Sequence, residues 1–172
     1  MEGIQSWFEY LSTRGDLVTQ TLLQTLTYVV LVTISASIVA IILGVATRHN
    51  PLAKELSLSI ASVFLTIPSL ALFTIFIPIV GLGFVPSFIA LFLYALLPIM
   101  RNTVAGLDAV DSSVLESAKG MGLTSTQILL KVQLPLAWPI MLAGIRVSAL
   151  LTVGISAIAT LVAGGGLGDF IK

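Results

Sequence analysis

Three stretches of this chain contain no charged side chain: residues 17–47, 56–100 and 147–168. A helix climbs about 1.5 Å per residue, so about 20 apolar residues cross the ~30 Å hydrocarbon layer of a bilayer. Each stretch is long enough to cross once, and the middle one is long enough to cross twice. Pro78, Gly81, Gly83 and Pro86 mark the expected break within it. Composition supports the same reading. Hydrophobic residues make up 57% and charged residues 9%, against roughly 25% charged in soluble domains, and the mean hydropathy is +1.10. The expected fold is an all-α membrane protein with four spans, near Thr27–Ala46, Leu56–Ile79, Phe84–Met100 and Pro139–Ala163.

Several functional classes are excluded at this stage. The eight basic and eight acidic residues cancel, so no basic patch points to nucleic acid. There is no cysteine and only one histidine, His49, so disulfides, thiolate metal sites and cysteine nucleophiles are absent, and no metal site is expected. No acid–base or nucleophile constellation suggests an enzyme, so no catalytic residue is assigned. His49, within Arg48-His49-Asn50-Pro51, reads as a loop residue.

Basic residues orient the spans. Arg48 and Lys54 lie in the first connection, and Arg101, Lys119 and Lys131 lie in the third. The Gly81–Gly83 loop has none, and each terminus has one, Arg14 or Lys172. Five against two places the first and third connections in the cytoplasm and both termini outside. Glu2, Glu9 and Asp16 rule out a secretion signal at the start. Ile4, Trp7, Phe8 and Leu11 instead recur at helical spacing, predicting an interfacial segment over residues 1–24. The rows Ala36/Ala40/Gly44 and Gly144/Ser148/Thr152 place small residues on one helix face, where backbones in lipid can approach closely.

Residues 101–138 interrupt this pattern; 101–135 alone hold six charges. Asp111-Ser112-Ser113 offers several N-caps, including a Ser113/Glu116 capping box, and Thr124/Gln127 forms a second box. Val114, Leu115, Ala118 and Met121 share a helical face, Leu123 and Ile128 are spaced as a staple, and Gly120 and Gly122 suit a left-handed C-terminus. Pro135 is expected to end the second helix. By pattern alone, this is a compact pair of helices on the cytoplasmic side, and pattern alone favours reading it as a mere connector between spans.

The spacing Glu116-Ser117-Ala118, then Gly122, then Val132-Gln133-Leu134-Pro135 resembles the EAA loop of ATP-binding-cassette importer permeases. Ser117 and Val132 stand where that pattern has Ala and Ile. Thr66-Ile67-Pro68-Ser69-Leu70-Ala71, Leu96-Leu97-Pro98-Ile99-Met100-Arg101-Asn102-Thr103 and Gly164-Gly165-Gly166-Leu167-Gly168 resemble one branch, the permeases of osmoprotectant importers. The resemblance implies a type I importer transmembrane-subunit fold, one permease domain over 1–172 in the bacterial cell membrane, and in relatives one further span beyond the Gly-rich segment. It implies a solute such as glycine betaine, carnitine or choline, with an amino-acid or methionine importer as the alternative. It also implies two copies of an ATP-binding subunit, a second permease, identical or homologous, and an extracytoplasmic substrate-binding protein.

No Gly-Lys dipeptide occurs, so this chain has no Walker A loop and ATP belongs to the partner subunit, with no cofactor expected here. Glu116, Ser117, Ala118, Gly122, Val132, Leu134 and Pro135 are the expected coupling residues. Thr66, Pro68, Ser69 and Tyr94 are candidate pathway residues, the first three read as a kinked, polar-lined stretch, with the phenylalanines at 64, 73, 76, 84, 88 and 92 as further aromatic candidates. Arg146 sits inside the last span, where a charge is costly, and either pairs with Asp108 or Glu116 or snorkels to the headgroups. A channel or carrier without an ATPase would be expected to hold more ionisable groups within its spans.

Overall fold

The long uncharged stretches are helical. The computed structural model describes residues 15–159; the predicted helix at Ile4–Leu11, the Gly164–Gly168 segment and the end of the last span lie outside the described residues. The elements are α1 (Gly15–Thr47), α2 (Pro51–Thr66), α3 (Ser69–Val80), α4 (Phe84–Asp108), α5 (Ser112–Gly120) and α6 (Ser125–Ile128). A single π-helical turn (Leu129–Gln133) then leads into α7 (Leu134–Ala159). α4 is the central helix and packs against α1, α2, α3 and α7.

Three helical stretches are long and apolar enough to cross a membrane: Gly15–Thr47, Phe84–Asp108 and Ser125–Ala159. The bent pair α2–α3 makes a fourth if taken as one span. The boundaries differ from the sequence expectation in four places, each with a physical cause.

α1 is helical by Gly15, so residues 15–24 are continuous with the helix of the first span. Thr21, Thr25, Tyr28, Val32, Ala36, Ala40 and Gly44 make one buried seam along it. The threonines cost little there because each hydroxyl is satisfied locally: Thr21 donates to the Leu17 carbonyl at 2.8 Å and Thr25 to that of Thr21 at 2.9 Å.

The expected second span is broken. α2 and α3 meet at 97°. Pro68 has no N–H to donate, and it holds Ile67 in the extended region at φ −75°, ψ 130°. The bend leaves the Ile67 carbonyl without a helical partner, and the Tyr94 hydroxyl of α4 donates to it. The predicted break at Gly81–Gly83 is present, with positive φ at Gly81 (81°) and Gly83 (115°).

α4 continues past Met100 to Asp108. The first charge, Arg101, does not stop it, because Arg101, Ala105 and Asp108 lie on its exposed side while Thr103, Val104, Gly106 and Leu107 stay buried. Finally, Pro135 does not end a helix. In an α-helix its ring would strike the carbonyl four residues back. Here the chain widens into a π turn just before it, with the Leu134 N–H bonding five residues back to Leu129. The helix runs on to Ala159.

The small-residue rows pack as expected. A Cβ on Gly144 would lie 2.6 Å from the Asn102 Cβ and 2.7 Å from the Pro98 carbonyl oxygen. One on Gly106 would lie 2.9 Å from the Ala137 carbonyl oxygen, and one on Gly44 would lie 2.8 Å from Thr103 Cγ2. The backbones of α4 and α7 therefore approach closely at Gly106 and Gly144. Gly144→Leu is expected to destabilise the isolated subunit by about 1–3 kcal/mol through overpacking. Gly154→Leu, on the same helix with open space around it, serves as the near-neutral control. Thermal unfolding in detergent measures both; equal stabilities would refute the close packing.

Candidate functional site

The loop between the last two long helices is a compact helical hairpin whose ends are all closed by the chain itself. The Asp111 side chain accepts from the Ser113 N–H at 2.8 Å and caps α5. The cap is thus Asp111 and not the Ser113/Glu116 box, and Glu116 is left exposed and free of that duty. Ser117 Oγ donates to the Ser113 carbonyl at 2.8 Å. At the other end the Leu123 N–H bonds to the Ala118 carbonyl at 3.2 Å and the Gly122 N–H to that of Lys119 at 3.0 Å, the two bonds of a Schellman motif. That closure places Gly122 at φ +84°, where L side chains are strained. Gly120 lies inside α5 and does not share this role.

Thr124 then starts the next helix with the predicted capping box: its N–H bonds to Gln127 Oε1 at 2.9 Å, and the Gln127 N–H to Thr124 Oγ1 at 3.4 Å. Two helices meet across four residues, each of whose backbone N–H groups is hydrogen-bonded.

The expected apolar face of α5 is divided. Ala118 is buried at 2% exposure and Leu115 is half-buried, whereas Val114 and Met121 are exposed, Met121 at 73%. Ala118 must stay small to seat the hairpin, while Val114, Glu116, Ser117, Lys119 and Met121 are presented outward. Glu116 and Lys119 border a cavity of about 250 Å³ with Arg48, His49 and Gln133. His49 thus lies near the hairpin, which its sequence context did not signal.

Val132, Leu134 and Pro135 sit in the π turn and the start of α7 rather than on the hairpin. Leu134 packs on Leu107, Ala137 and Met141. Gln133 Nε2 donates to the Leu107 carbonyl at 3.2 Å, joining the π turn to the end of α4. The two halves of the motif are thus a presented surface and its anchor. The spacing hid this anchor, since Gln133 occupies a position that the motif leaves open.

The four pathway candidates meet at the α2–α3 bend. Thr66 and Pro68 are exposed and Ser69 is half-buried; Tyr94 is buried beside them with its hydroxyl on the Ile67 carbonyl. The phenylalanines do not form a cage. Phe73 is fully buried, Phe64 and Phe76 pack on the core, and Tyr28, Phe84, Phe88 and Phe92 stack in sequence at centroid spacings of 4.7, 5.8 and 6.3 Å. Asp108 pairs with Lys54 at 3.0 Å. Arg146 is exposed and has no ion-pair partner among the described residues.

The backbone N–H of Ser113, with its side chain assisting, holds the Asp111 carboxyl below the usual aspartate range. Folding of α5 favours the ionised form, so the cap is intact above the ordinary aspartate pKa and is lost as pH falls through the lowered value. In Asp111→Ala, amide exchange over 112–120, corrected for intrinsic rates, is expected to be faster at neutral pH and to lose this acid dependence. Unchanged exchange would refute the assigned cap.

Residues 36–172 match the family described as binding-protein-dependent transport system inner membrane component. The choline transport system permease protein OpuBB of Bacillus subtilis (strain 168) is 38% identical over 163 residues, 95% of this chain and 75% of that protein. The glycine betaine/carnitine/choline transport system permease protein OpuCB of the same organism is 43% identical over 134 residues, 78% of this chain and 62% of that one. The carnitine transport permease protein OpuCD of Listeria monocytogenes is 37% identical over 171 residues, 99% of this chain and 77% of that protein. A solved chain of the MetNI methionine ABC transporter in an inward-facing conformation superposes with a TM-score of 0.78 at 27% identity, covering 90% of this chain and 78% of that one. With the central helix, the capped hairpin and its anchor in place, these matches establish the family: the chain belongs to the binding-protein-dependent inner membrane components, the permease subunits of ATP-binding-cassette importers.

Proposed function

We propose that this chain forms part of the solute path of an ATP-driven importer of quaternary ammonium osmoprotectants and couples that path to a separate ATPase through α5. The carrying observation is the self-capped hairpin, which presents Val114, Glu116, Ser117, Lys119 and Met121 outward on a rigid seat at Ala118. Two copies of the ATPase, a second permease and an extracytoplasmic binding protein complete the machine. The hairpin faces the cytoplasm, in keeping with the basic residues of its connection.

The mechanism follows from how the hairpin is held. ATPase closure would push α5, and a hairpin with closed ends transmits that push rather than absorbing it. The Gln133–Leu107 bond carries it to α4, and the π turn carries it to α7. α4 in turn holds the α2–α3 bend through Tyr94, so Thr66, Pro68 and Ser69 move with it. Glu116, left free of capping, is available to the ATPase surface. The identities of 37–43% to choline, carnitine and glycine betaine permeases support that solute class over methionine, whose permease is 27% identical.

The test is uptake by proteoliposomes holding this permease, its ATPase and its binding protein. Labelled glycine betaine, carnitine and choline are expected to enter only with ATP, and methionine is not. A Cβ at Gly122 has nothing within 4 Å, so the main cost of Gly122→Val is the left-handed backbone, about 1–2 kcal/mol. That variant should leave ATP hydrolysis running while uptake falls severalfold. Wild-type uptake that continues without ATPase would overturn the importer reading, and normal uptake by Gly122→Val would overturn the coupling role.

A further inference from the structure

Ser148 of α7 breaks a rule that its neighbours keep. It is fully buried, yet its Oγ has no hydrogen-bond partner among the described residues. The other buried serines and threonines each donate to a carbonyl three or four residues back. Thr152 donates to Ser148 at 2.9 Å, Ser156 to Val153 at 2.7 Å, Thr103 to Ile99 at 2.8 Å and Ser87 to Gly83 at 3.0 Å. For Ser148 that bond would run to the Gly144 carbonyl, and it is not made. Thr33 Oγ1 on α1 is likewise unpaired, but Thr33 is only half-buried. A buried hydroxyl without a partner is costly, and a turn about one bond would normally cure it.

The facing helix holds a matching acceptor. Pro98 lies inside α4 and has no N–H, so the Tyr94 carbonyl, four residues earlier, loses its helical donor. Two glycines fix the register. A Cβ on Gly106 would meet Ala137 and Ile140, and one on Gly144 would meet Pro98 and Asn102, so α4 and α7 run antiparallel. One turn onward along α7 from Gly144 is Ser148, and one turn back along α4 from Pro98 is Tyr94. An unused donor and a carbonyl freed by proline thus share one level of the α4–α7 contact, and no bond joins them here.

We propose that Ser148 is a latch for a second arrangement of these helices, in which α4 flexes at Pro98 and the Ser148 hydroxyl donates to the Tyr94 carbonyl. The arrangement described here superposes on a permease solved in an inward-facing conformation, so the latched one is the outward-facing arrangement that ATPase closure produces. The proposal rests on the transport reading above and adds the bond that favours its second state. Ser148 is a positioning residue, acting through the helix it holds and not through contact with solute. Deleting its hydroxyl favours the inward-facing state twice over, by removing a stranded group from that state and a bond from the other.

Ser148→Ala in the complete transporter separates a latch from a packing residue, because stability and transport are expected to part. The thermal midpoint of the nucleotide-free complex should hold level or rise, while ATP-driven glycine betaine uptake in proteoliposomes falls about tenfold. Ser156→Ala, which removes a hydroxyl already bonded, should lower the midpoint instead. Pro98→Ala restores the missing N–H and occupies the Tyr94 carbonyl, so adding Ser148→Ala in that background should cost no further uptake. A lowered midpoint in Ser148→Ala, unchanged uptake, or the same tenfold loss on top of Pro98→Ala would each overturn the latch. If Pro98→Ala does not assemble, the midpoint and uptake of Ser148→Ala alone decide. An unaltered complex that takes up no solute with ATP would bring down the transport reading, and the latch with it.

Discussion

Close contact between α4 and its neighbours organises this fold. In lipid there is no hydrophobic drive to hold helices together, so association depends on van der Waals contact and on satisfying every polar group. Gly144 and Gly106 bring the backbones of α7 and α4 together, and Gly44 does the same for α1. Once these three helices are fixed, the positions of the rest follow. The π turn docks on the end of α4, the hairpin packs back on the π turn, and the bend of α2–α3 hangs from Tyr94.

The broad architecture was legible because it depends on a one-dimensional quantity, the run of residues without charge. Helix ends were less legible where a charge or a proline was taken as a stop. Arg101 did not end α4, since a helix can project past the bilayer with one exposed edge. Pro135 did not end the last helix, since a π turn removes the clash that makes proline a breaker. At Pro68, inside an apolar run, a kink was expected, but nothing in the charge pattern marked its size, a 97° bend. Proline breaks or passes according to how the preceding turn is hydrogen-bonded, which residue spacing does not encode.

The local structure of the hairpin was legible because it is built from bonds between near neighbours. The Thr124/Gln127 box and the left-handed Gly122 follow from residues three or four apart. The cap at Asp111 competed with Ser113 as an N-cap, and only the geometry decides between such neighbours. Contacts between distant segments were out of reach, as with Gln133 on Leu107 and Lys54 on Asp108.

The Tyr94 hydroxyl has one further consequence. At most helix breaks the freed carbonyl turns to water or to a neighbouring residue of its own segment. Here the carbonyl of Ile67 is served from another helix, across the body of the subunit. The angle between α2 and α3 and the position of α4 are therefore one variable and not two. A shift of α4 either carries the elbow along or strands a bare carbonyl in apolar surroundings, at a cost of about 1–3 kcal/mol. A single phenolic hydroxyl thus makes the elbow a geared joint rather than a loose one.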